Sequence, residues 1–341
     1  MKRDIARALL SLAATCGAYA ACAHTGVDVE VAAAPVLEDR FPRSSVSFPG
    51  EVESLPDLVY SVLPGYRPLR LDLYRPRRAA PSGRPLVVYV HGGGWLSGHT
   101  RHAGAFENWP GVLASLAAEG YVVASIEYRL SGEAAFPAAV LDVKTSIRWL
   151  RAKARDYGID PTRVLVWGGS AGGQLAALTA MTCGVESLQP AFEAPQAALQ
   201  SQSDCVQGLV AWYGVFDLKT IWQPSAGANT NEPAGNPAVK YLGCAPSSCA
   251  EKAALASPVM QLHERVPPTL LIHGELDKVV PAAQSRAFYS ALRSKGVPVE
   301  LLILPGVDHS FIGDSRTKTE EASRKALMRT FTFINATLRG P

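Results

Sequence analysis

The sequence predicts an α/β protein with a mostly parallel central sheet, helices on both faces and loop or lid insertions. Short apolar runs rich in β-branched residues alternate with longer helical patterns along most of the chain, and such alternation is typical of a parallel sheet covered on both sides. The chain has 341 residues, of which 48% are hydrophobic and 18% charged. It can therefore bury a large core without a partner.

The N-terminus differs from the rest. Three basic residues within the first seven precede a short apolar run that ends in small residues. This pattern predicts an export signal over residues 1–23, cleaved after Ala20 or Ala23, and hence a periplasmic or secreted protein. An alternative is that Cys22 becomes a lipidated N-terminal cysteine that anchors the protein to a membrane.

Residues 24–55 carry proline, serine and mixed charge without clear periodicity, which indicates a linker or a loosely docked arm. The main domain is predicted over 56–341. It opens with alternating runs at 57–63 and 69–76 around a proline- and glycine-containing turn, which predict an antiparallel hairpin.

Strands and helices then alternate. The strands are expected at 86–90, 121–128, 163–168, 206–214, 269–274 and 299–304, and the helices at 111–119, 137–158, 171–181, 282–296 and 320–338. Arg148 and Arg151 are assigned to a solvated helix face. Two excursions, 183–205 and about 221–257, are expected to shape or cover a pocket, with plain surface loops as the alternative.

Four of the six cysteines lie outside the signal. Because an oxidising compartment favours disulfides, their closeness in sequence predicts the pairs Cys183–Cys205 and Cys244–Cys249, with four free thiols as the alternative. The absence of a C-x-x-C motif argues against zinc or thiol redox chemistry.

Charge and motif spacing exclude several function classes. The net charge is +3 and its basic residues are dispersed, so nucleic acid is not an expected partner. His99 and His102 are three residues apart but lack a carboxylate that would complete a metal site, so they are assigned to the rim of a pocket. No metal and no cofactor are predicted, and the sequence carries no signal for oligomeric state.

The pattern Gly168-x-Ser170-x-Gly172 lies where a predicted strand gives way at once to a predicted helix. A sharp strand–elbow–helix turn needs glycine at both flanking positions and exposes the serine hydroxyl above the sheet. Ser170 is therefore predicted to be a nucleophile. The alternative is that it is only a small residue in a tight turn, which would produce the same sequence pattern.

A glycine triplet follows the 86–90 strand, between His91 and Trp95. Its glycines let backbone amides face a ligand, and such amides stabilise the oxyanion that forms in acyl transfer. Gly92, Gly93 and the amide of Ala171 are the predicted donors. The spacing fits neither phosphate-binding glycine pattern.

A serine nucleophile needs a base, and the base needs an acid that fixes its tautomer. Asp277 and His309 follow two consecutive predicted strands, in the chain order serine, aspartate, histidine. Asp308 is the direct sequence neighbour of His309, so its carboxylate cannot reach the imidazole ring in the required geometry. Glu275 is the alternative acid.

With HGGGW, GGSAGG, the Asp277 loop and His309 in this order, the chain from about Leu58 onward resembles the α/β-hydrolase esterases and lipases. It is nearest to the feruloyl-esterase-like and carboxylesterase branch. The resemblance implies an α/β-hydrolase fold with Ser170 as acyl-accepting nucleophile, His309 as base and then acid, and Asp277 as its orienting partner.

The predicted function is that of an exported serine carboxylic-ester hydrolase. Its substrates would be small-molecule or polysaccharide-linked esters, including aryl or hydroxycinnamoyl esters, and Trp95 and Trp212 are the predicted substrate contacts. Trp109 and Tyr213 are further aromatic candidates, and the alternative for all four residues is a place in the core. The alternatives are an amidase or peptidase with the same triad, or a non-catalytic binding module of the same fold.

Overall fold

The computed structural model describes residues 44–192, 196–221 and 235–339. In these ranges nine strands form one sheet: β1 (Val46–Phe48), β2 (Val52–Ser61), β3 (Leu69–Pro76), β4 (Arg84–Val90), β5 (Val122–Ile126), β6 (Ile159–Gly169), β7 (Gly208–Trp212), β8 (Thr269–Gly274) and β9 (Val299–Leu304). Their order is β1-β2-β3-β5-β4-β6-β7-β8-β9. The pairs from β1 to β5 are antiparallel, and all pairs from β5 to β9 are parallel.

Helices cover both faces of this sheet. They are α1 (Trp109–Ala118), α2 (Ala138–Ala152), α3 (Ala154–Tyr157), α4 (Ala171–Met181), α5 (Pro237–Leu242), α6 (Ala250–Leu255), α7 (Ala283–Ser294) and α8 (Arg316–Arg339). Alternate residues of β4 enter two separate apolar clusters, one shared with α2, α4 and α7 and the other with α1 and α8. No helix within the described ranges has the length and apolar character needed to cross a bilayer.

The sheet begins earlier than the predicted boundary at residue 56. β1 and the start of β2 belong to the stretch 24–55 that was interpreted as a linker or arm, and Val52 is fully buried. A register irregularity lies between Leu55 and Leu58, with Asp57 at φ 57°, and it breaks the two-residue period. Because apolar and polar residues do not alternate regularly there, the sequence pattern does not indicate the start of β2. The export signal, Cys22 and the rest of the arm lie outside the described residues.

The first excursion is fastened to α2. The sulfurs of Cys183 and Cys205 are at disulfide distance, as their sequence positions predict. Arg151 donates hydrogen bonds of 2.6 Å to the carbonyls of Ser203 and Cys205. Its assignment to a solvated face is wrong, and so is that of Arg148, because both side chains are buried under the excursion. Carbonyl groups of an irregular segment need such donors when they leave water.

The second excursion brings two short helices near the glycine triplet. Cys244 and Cys249, between α5 and α6, form the other predicted pair. The ring of Tyr241 on α5 stacks on Trp95 at a centroid distance of 4.5 Å, and the carbonyl of Tyr241 accepts from the amide of Phe136. The described part of this excursion therefore supports the loop that follows β4.

Candidate active site

Ser170 occupies the sharp turn between β6 and α4. Its φ of 56° and ψ of −123° lie in a region that side-chain-bearing residues rarely adopt and that costs about 1–3 kcal/mol. A Cβ at Gly168 would overlap the carbonyl of Gly172, and one at Gly172 would overlap the carbonyl of Val90. The elbow therefore requires glycine at both positions, and strain is retained at the serine between them.

The structure brings Ser170, His309 and Asp277 together. The Nε2 atom of His309 lies 3.0 Å from the Oγ atom of Ser170, and its Nδ1 atom lies 2.7 Å from Oδ2 of Asp277. Because a carboxylate only accepts, it holds the ring proton on Nδ1 and leaves the Nε2 lone pair to accept from the serine hydroxyl. This is the geometry of an activated serine.

The other two acids do not reach the imidazole. The carboxylate of Asp308 accepts from the backbone amides of His309, at 2.7 Å, and Lys278, at 2.9 Å. Glu275 is exposed and accepts from the amide of Gly306 at 3.2 Å. Among the described acids, Asp277 is thus the one that contacts the ring of His309.

The predicted oxyanion donors flank the serine. Gly92 and Gly93 line the same cavity as Ser170, and Gly93 has a φ of 113° that favours glycine. A Cβ at Gly92 would come within 2.8 Å of the carbonyl of Gly169. Ala171 is the first residue of α4, so its amide is one of those that have no acceptor within the helix. These amides are suited to an anionic oxygen.

A cavity of about 620 Å³ opens above Ser170. Its walls include the glycine triplet, the segment 97–104, Tyr213 and His309. The volume falls within the range of roughly 300–1,000 Å³ that is typical of small-ligand sites. The cavity can therefore hold a small organic ligand beside the serine hydroxyl.

Residues 71–292, more than half of the 341 residues, match the BD-FAE protein family. The chain belongs to the BD-FAE family. It is 35% identical to Esterase LipQ of Mycobacterium tuberculosis over 253 residues. This match covers 73% of this chain and 55% of LipQ. The chain spans about half the length of the curated relatives it matches.

Two solved structures share the architecture of this BD-FAE protein. The thermophilic esterase Est2 of Thermogutta terrifontis is 27% identical, with a TM-score of 0.63 over 81% of this chain and 90% of Est2. A truncated carbohydrate esterase from gut microbiota is 23% identical, with a TM-score of 0.69 over 88% of this chain and 99% of that protein. The predicted α/β-hydrolase fold is confirmed.

The carboxylate of Asp277 in this BD-FAE protein is held by four donors. Oδ1 accepts from the amides of Val279 and Val280 at 2.9 and 2.8 Å, and Oδ2 accepts from His309 and from His273 at 2.7 and 3.1 Å. Burial alone would raise the pKa of Asp277, but the hydrogen bonds from the two histidines and the Val280 amide hold it well below its ordinary value. Asp277 is therefore ionised at neutral pH.

His273, whose place in the sequence indicates a structural role, contacts the carboxylate of Asp277. It is fully buried at the end of β8, and its Nε2 atom lies 2.8 Å from the carbonyl oxygen of Val280 as well as 3.1 Å from Asp277. A carbonyl only accepts, so Nε2 carries a proton and donates. The hydroxyl of Ser285 lies 2.7 Å from Nδ1 and can donate to it. The only sequence signal was a histidine that precedes the acid by four residues in a strand-end H-G-x-x-D pattern.

Replacing His273 with leucine should lower kcat/KM for p-nitrophenyl acetate by about tenfold to 150-fold, because a hydrogen bond to a charged group is worth about 1.5–3 kcal/mol. Rates would be normalised to active sites titrated with a fluorophosphonate, so that unfolded protein does not contribute. His273→Gln, which keeps a donor, should recover part of the loss. Full activity per titrated site in His273→Leu would contradict this role.

His91 supports the glycine triplet and makes stability depend on pH. Its ring stacks on Tyr128 at 4.3 Å, and Nδ1 donates to the carbonyl of Gly92 at 2.8 Å. Burial lowers the pKa of His91 to about 4, from 6.5. Between these values the unfolded chain binds a proton that the folded chain does not, so stability falls as the pH decreases through this window.

The free energy of unfolding should therefore fall by about 3 kcal/mol between pH 7.5 and pH 4 from His91 alone, and this contribution should level off by about pH 3. Urea titrations across this range measure the slope. In His91→Phe, which keeps an aromatic ring against Tyr128, the slope of the free energy of unfolding against pH should be smaller by the contribution of one proton. Equal slopes in both proteins would show that burial does not lower the pKa of His91.

The predicted substrate contacts Trp95 and Trp212 lie in the core. Trp95 is 3% exposed and donates from Nε1 to Gln174, whereas Trp212 is fully buried and donates to Thr330 on α8. Neither residue lines the cavity, so their positions contradict the predicted contacts. Because their indole N–H groups donate to acceptors inside the protein, both tryptophan side chains can be buried without an unsatisfied donor. Of the four aromatic candidates, Tyr213 lines the cavity.

Proposed function

We propose that this protein is a serine carboxylic-ester hydrolase that acts through Ser170, His309 and Asp277. The observation that carries the proposal is the continuous hydrogen-bond path from Asp277 through His309 to Ser170, below a cavity bordered by the glycine triplet. This arrangement combines a nucleophile, a base of fixed tautomer and backbone donors for an oxyanion.

In the acylation step, Oγ of Ser170 attacks the ester carbonyl while Nε2 of His309 takes the hydroxyl proton. The carbonyl oxygen becomes negative and accepts from the amides of Gly92, Gly93 and Ala171. Each such donor contributes about 3 kcal/mol to the transition state. The ionised carboxylate of Asp277 stabilises the imidazolium that forms.

The intermediate collapses when the bond to the alcohol breaks and His309 returns its proton to the alcohol oxygen. Water then attacks the acyl-serine, again losing a proton to Nε2 of His309. The carboxylic acid leaves and the proton returns to Ser170. No other reactant is needed for this cycle.

The similar proteins support ester hydrolysis. LipQ and LipC are both named as esterases, and they are 35% and 33% identical to this chain. Est2 has also been solved as a form phosphorylated by paraoxon, at 26% identity and a TM-score of 0.61. An organophosphate is therefore an informative probe here. An amidase or peptidase would use the same triad, so matched ester and anilide substrates separate these activities.

For the substrate, we propose small esters, including aryl and hydroxycinnamoyl esters and esters linked to polysaccharide. Tyr89 and Tyr213 line the cavity and offer the aromatic surface that the buried tryptophans do not. We also propose that the protein is exported, with cleavage after Ala20 or Ala23 or lipidation of Cys22 as the two modes. The two cysteine pairs support this, since disulfides are typical of compartments outside the cytoplasm.

Intact mass spectrometry of the protein recovered from the cell envelope and medium, after fluorophosphonate treatment, tests these proposals together. We expect one adduct, mapped to Ser170, on a chain whose mass reports the N-terminus and any lipid. An adduct on another serine would overturn the assigned nucleophile. No adduct on folded protein would favour the binding-module alternative.

A further inference from the structure

Two histidines that the proposed mechanism does not use line the same cavity as Ser170. His99 and His102 are exposed, and their ring centroids lie 6.0 Å apart. We call them the rim histidines, in keeping with their predicted position at the edge of a pocket. They occupy the segment 97–104, which forms one wall of the cavity.

The two residues between the rim histidines point away from the cavity and fix the segment to the sheet. Thr100 donates from Oγ1 to Oδ2 of Asp72 on β3 at 2.8 Å, and Arg101 donates from Nε to the same oxygen at 2.7 Å. Ser125 on β5 donates to the carbonyl of Thr100 at 2.6 Å. Two strands of the central sheet therefore hold the segment in place.

The carboxylate of Asp72 is almost fully buried, with a residue exposure of 1%. Burying this carboxylate adds little net stability, because its desolvation offsets the attraction to the half-exposed guanidinium of Arg101. The buried carboxylate of Asp72 is therefore better explained by the need to position the segment 97–104 than by a gain in folding stability. Rigid support of this kind is what binding side chains need.

The hydrogen bonds of His99 also fix its tautomer. Its Nδ1 atom accepts from the backbone amide of Arg101 at 3.2 Å. In the neutral ring the proton is therefore on Nε2, which can donate to a ligand. His99 therefore brings a donor of fixed tautomer to the lining of the cavity.

The rest of the wall shows which acceptor fits. None of the described lining residues carries a guanidinium, ammonium or carboxylate group, so an anion would meet no permanent positive charge. The aliphatic side chains in the lining are limited to Ala103, Val279 and Ile312, which is little surface for a long acyl chain. The hydroxyls of Ser97 and Ser310 can instead accept a hydrogen bond from a hydroxyl group of a ligand.

We propose that the rim histidines form a subsite for a neutral, hydroxyl-bearing group of the ester substrate. This inference rests on the proposed ester hydrolysis and names the substrate feature that the cavity selects. The hydroxyl would accept from Nε2 of His99 and donate to a serine or carbonyl of the wall. It comes either from a polyol alcohol or from a phenolic acyl group, and the test separates these sources.

The test compares kcat/KM within two matched substrate pairs. Methyl 4-hydroxycinnamate against methyl cinnamate probes an acyl hydroxyl, and mono-acetylated methyl glucoside against cyclohexyl acetate probes the alcohol side. The native protein should prefer the hydroxylated member of at least one pair by about tenfold or more. The pair that shows the preference identifies the source of the hydroxyl.

Variants connect that preference to the rim histidines. In His99→Phe and His102→Phe the preference should fall to about parity, whereas His99→Gln, which keeps a donor, should retain most of it. Ile312→Ala also alters the wall but removes no polar group, so its preference should match the native one. Because the rim histidines are exposed, these substitutions leave the core intact.

Several results would overturn the subsite. They are parity in both pairs with the native protein, an undiminished preference in both phenylalanine variants, or faster turnover of monomethyl succinate than of methyl butyrate, which would indicate an anion site. If these occur while Ser170 still takes up a fluorophosphonate, ester hydrolysis stands and the subsite fails. No hydrolysis and no adduct would overturn both proposals.

Discussion

Replacing Ser170 with alanine is expected to lower kcat for p-nitrophenyl acetate by about 10⁶-fold, to the level left by the oxyanion donors and substrate binding. The proposed reaction needs an oxygen nucleophile within reach of Nε2 of His309, and the hydroxyl of Ser170 lies 3.0 Å from that atom. Alanine keeps a Cβ at the same strained φ of 56°, so the elbow should persist. Burst and steady-state phases should both disappear.

The cavity offers a matched control for this result. Ser97 also lines the cavity, but its hydroxyl bonds to the carbonyl of Gly93 rather than to an imidazole. Ser97→Ala should change kcat by less than about tenfold, since no base among the described residues lies within reach to take a proton from that hydroxyl. If Ser170→Ala retains more than a few per cent of native turnover at an unchanged melting temperature, the assigned nucleophile is wrong.

Elements whose apolar residues are contiguous were predicted to the residue. The strands β8 and β9 and the helix α4 have the predicted bounds. β8 and α4 are buried throughout, and β9 is a mainly aliphatic, partly buried run between Pro298 and Pro305. β1 and the start of β2 were not predicted. β1 has three residues and is mostly exposed, so it carries no apolar pattern. The pattern of β2 is interrupted by the irregularity at Asp57, and a period cannot be recognised across an inserted residue.

The site residues divide along a similar line. The elbow serine, the glycine triplet and the strand-end Asp277 and His309 could be predicted, since the chemistry fixes both their residue types and their places on the fold. The substrate contacts could not. Trp95 follows β4 and Trp212 is the last residue of β7, places where site residues occur. Each side chain nevertheless packs into the core, where it donates to Gln174 or Thr330 of a distant element.

Loop conformation and covering segments explain why the contacts of His273 and Arg151 could not be predicted. A buried histidine after a strand is ordinarily structural, and its contact with Asp277 depends on the conformation of the loop between them. The same holds for Arg151, whose helix position indicates a solvated face until residues 203–205 cover it. Sequence patterns show amphipathicity but not what covers the polar side.

Replacing Asp277 with asparagine should lower kcat by about 10⁴-fold with little change in fold. The amides of Val279 and Val280 require an acceptor at Oδ1, so the asparagine oxygen takes that place and its NH₂ group faces His309. To avoid two donors meeting, the ring of His309 must carry its proton on Nε2. That nitrogen then cannot accept from Ser170, and the loss follows from a reversed tautomer rather than from a lost charge alone.

Asp308→Asn is the matched control, because this carboxylate lies next in the chain to His309 but bonds to backbone amides instead of the ring. It should reduce kcat by less than about tenfold, as expected for a half-exposed acid outside the proton path. Fluorophosphonate labelling at Ser170 should slow in parallel with kcat in Asp277→Asn and stay fast in Asp308→Asn. If the two variants lose activity equally, the acid is not selected by its contact with the imidazole, and the path from Asp277 to Ser170 does not explain the reaction.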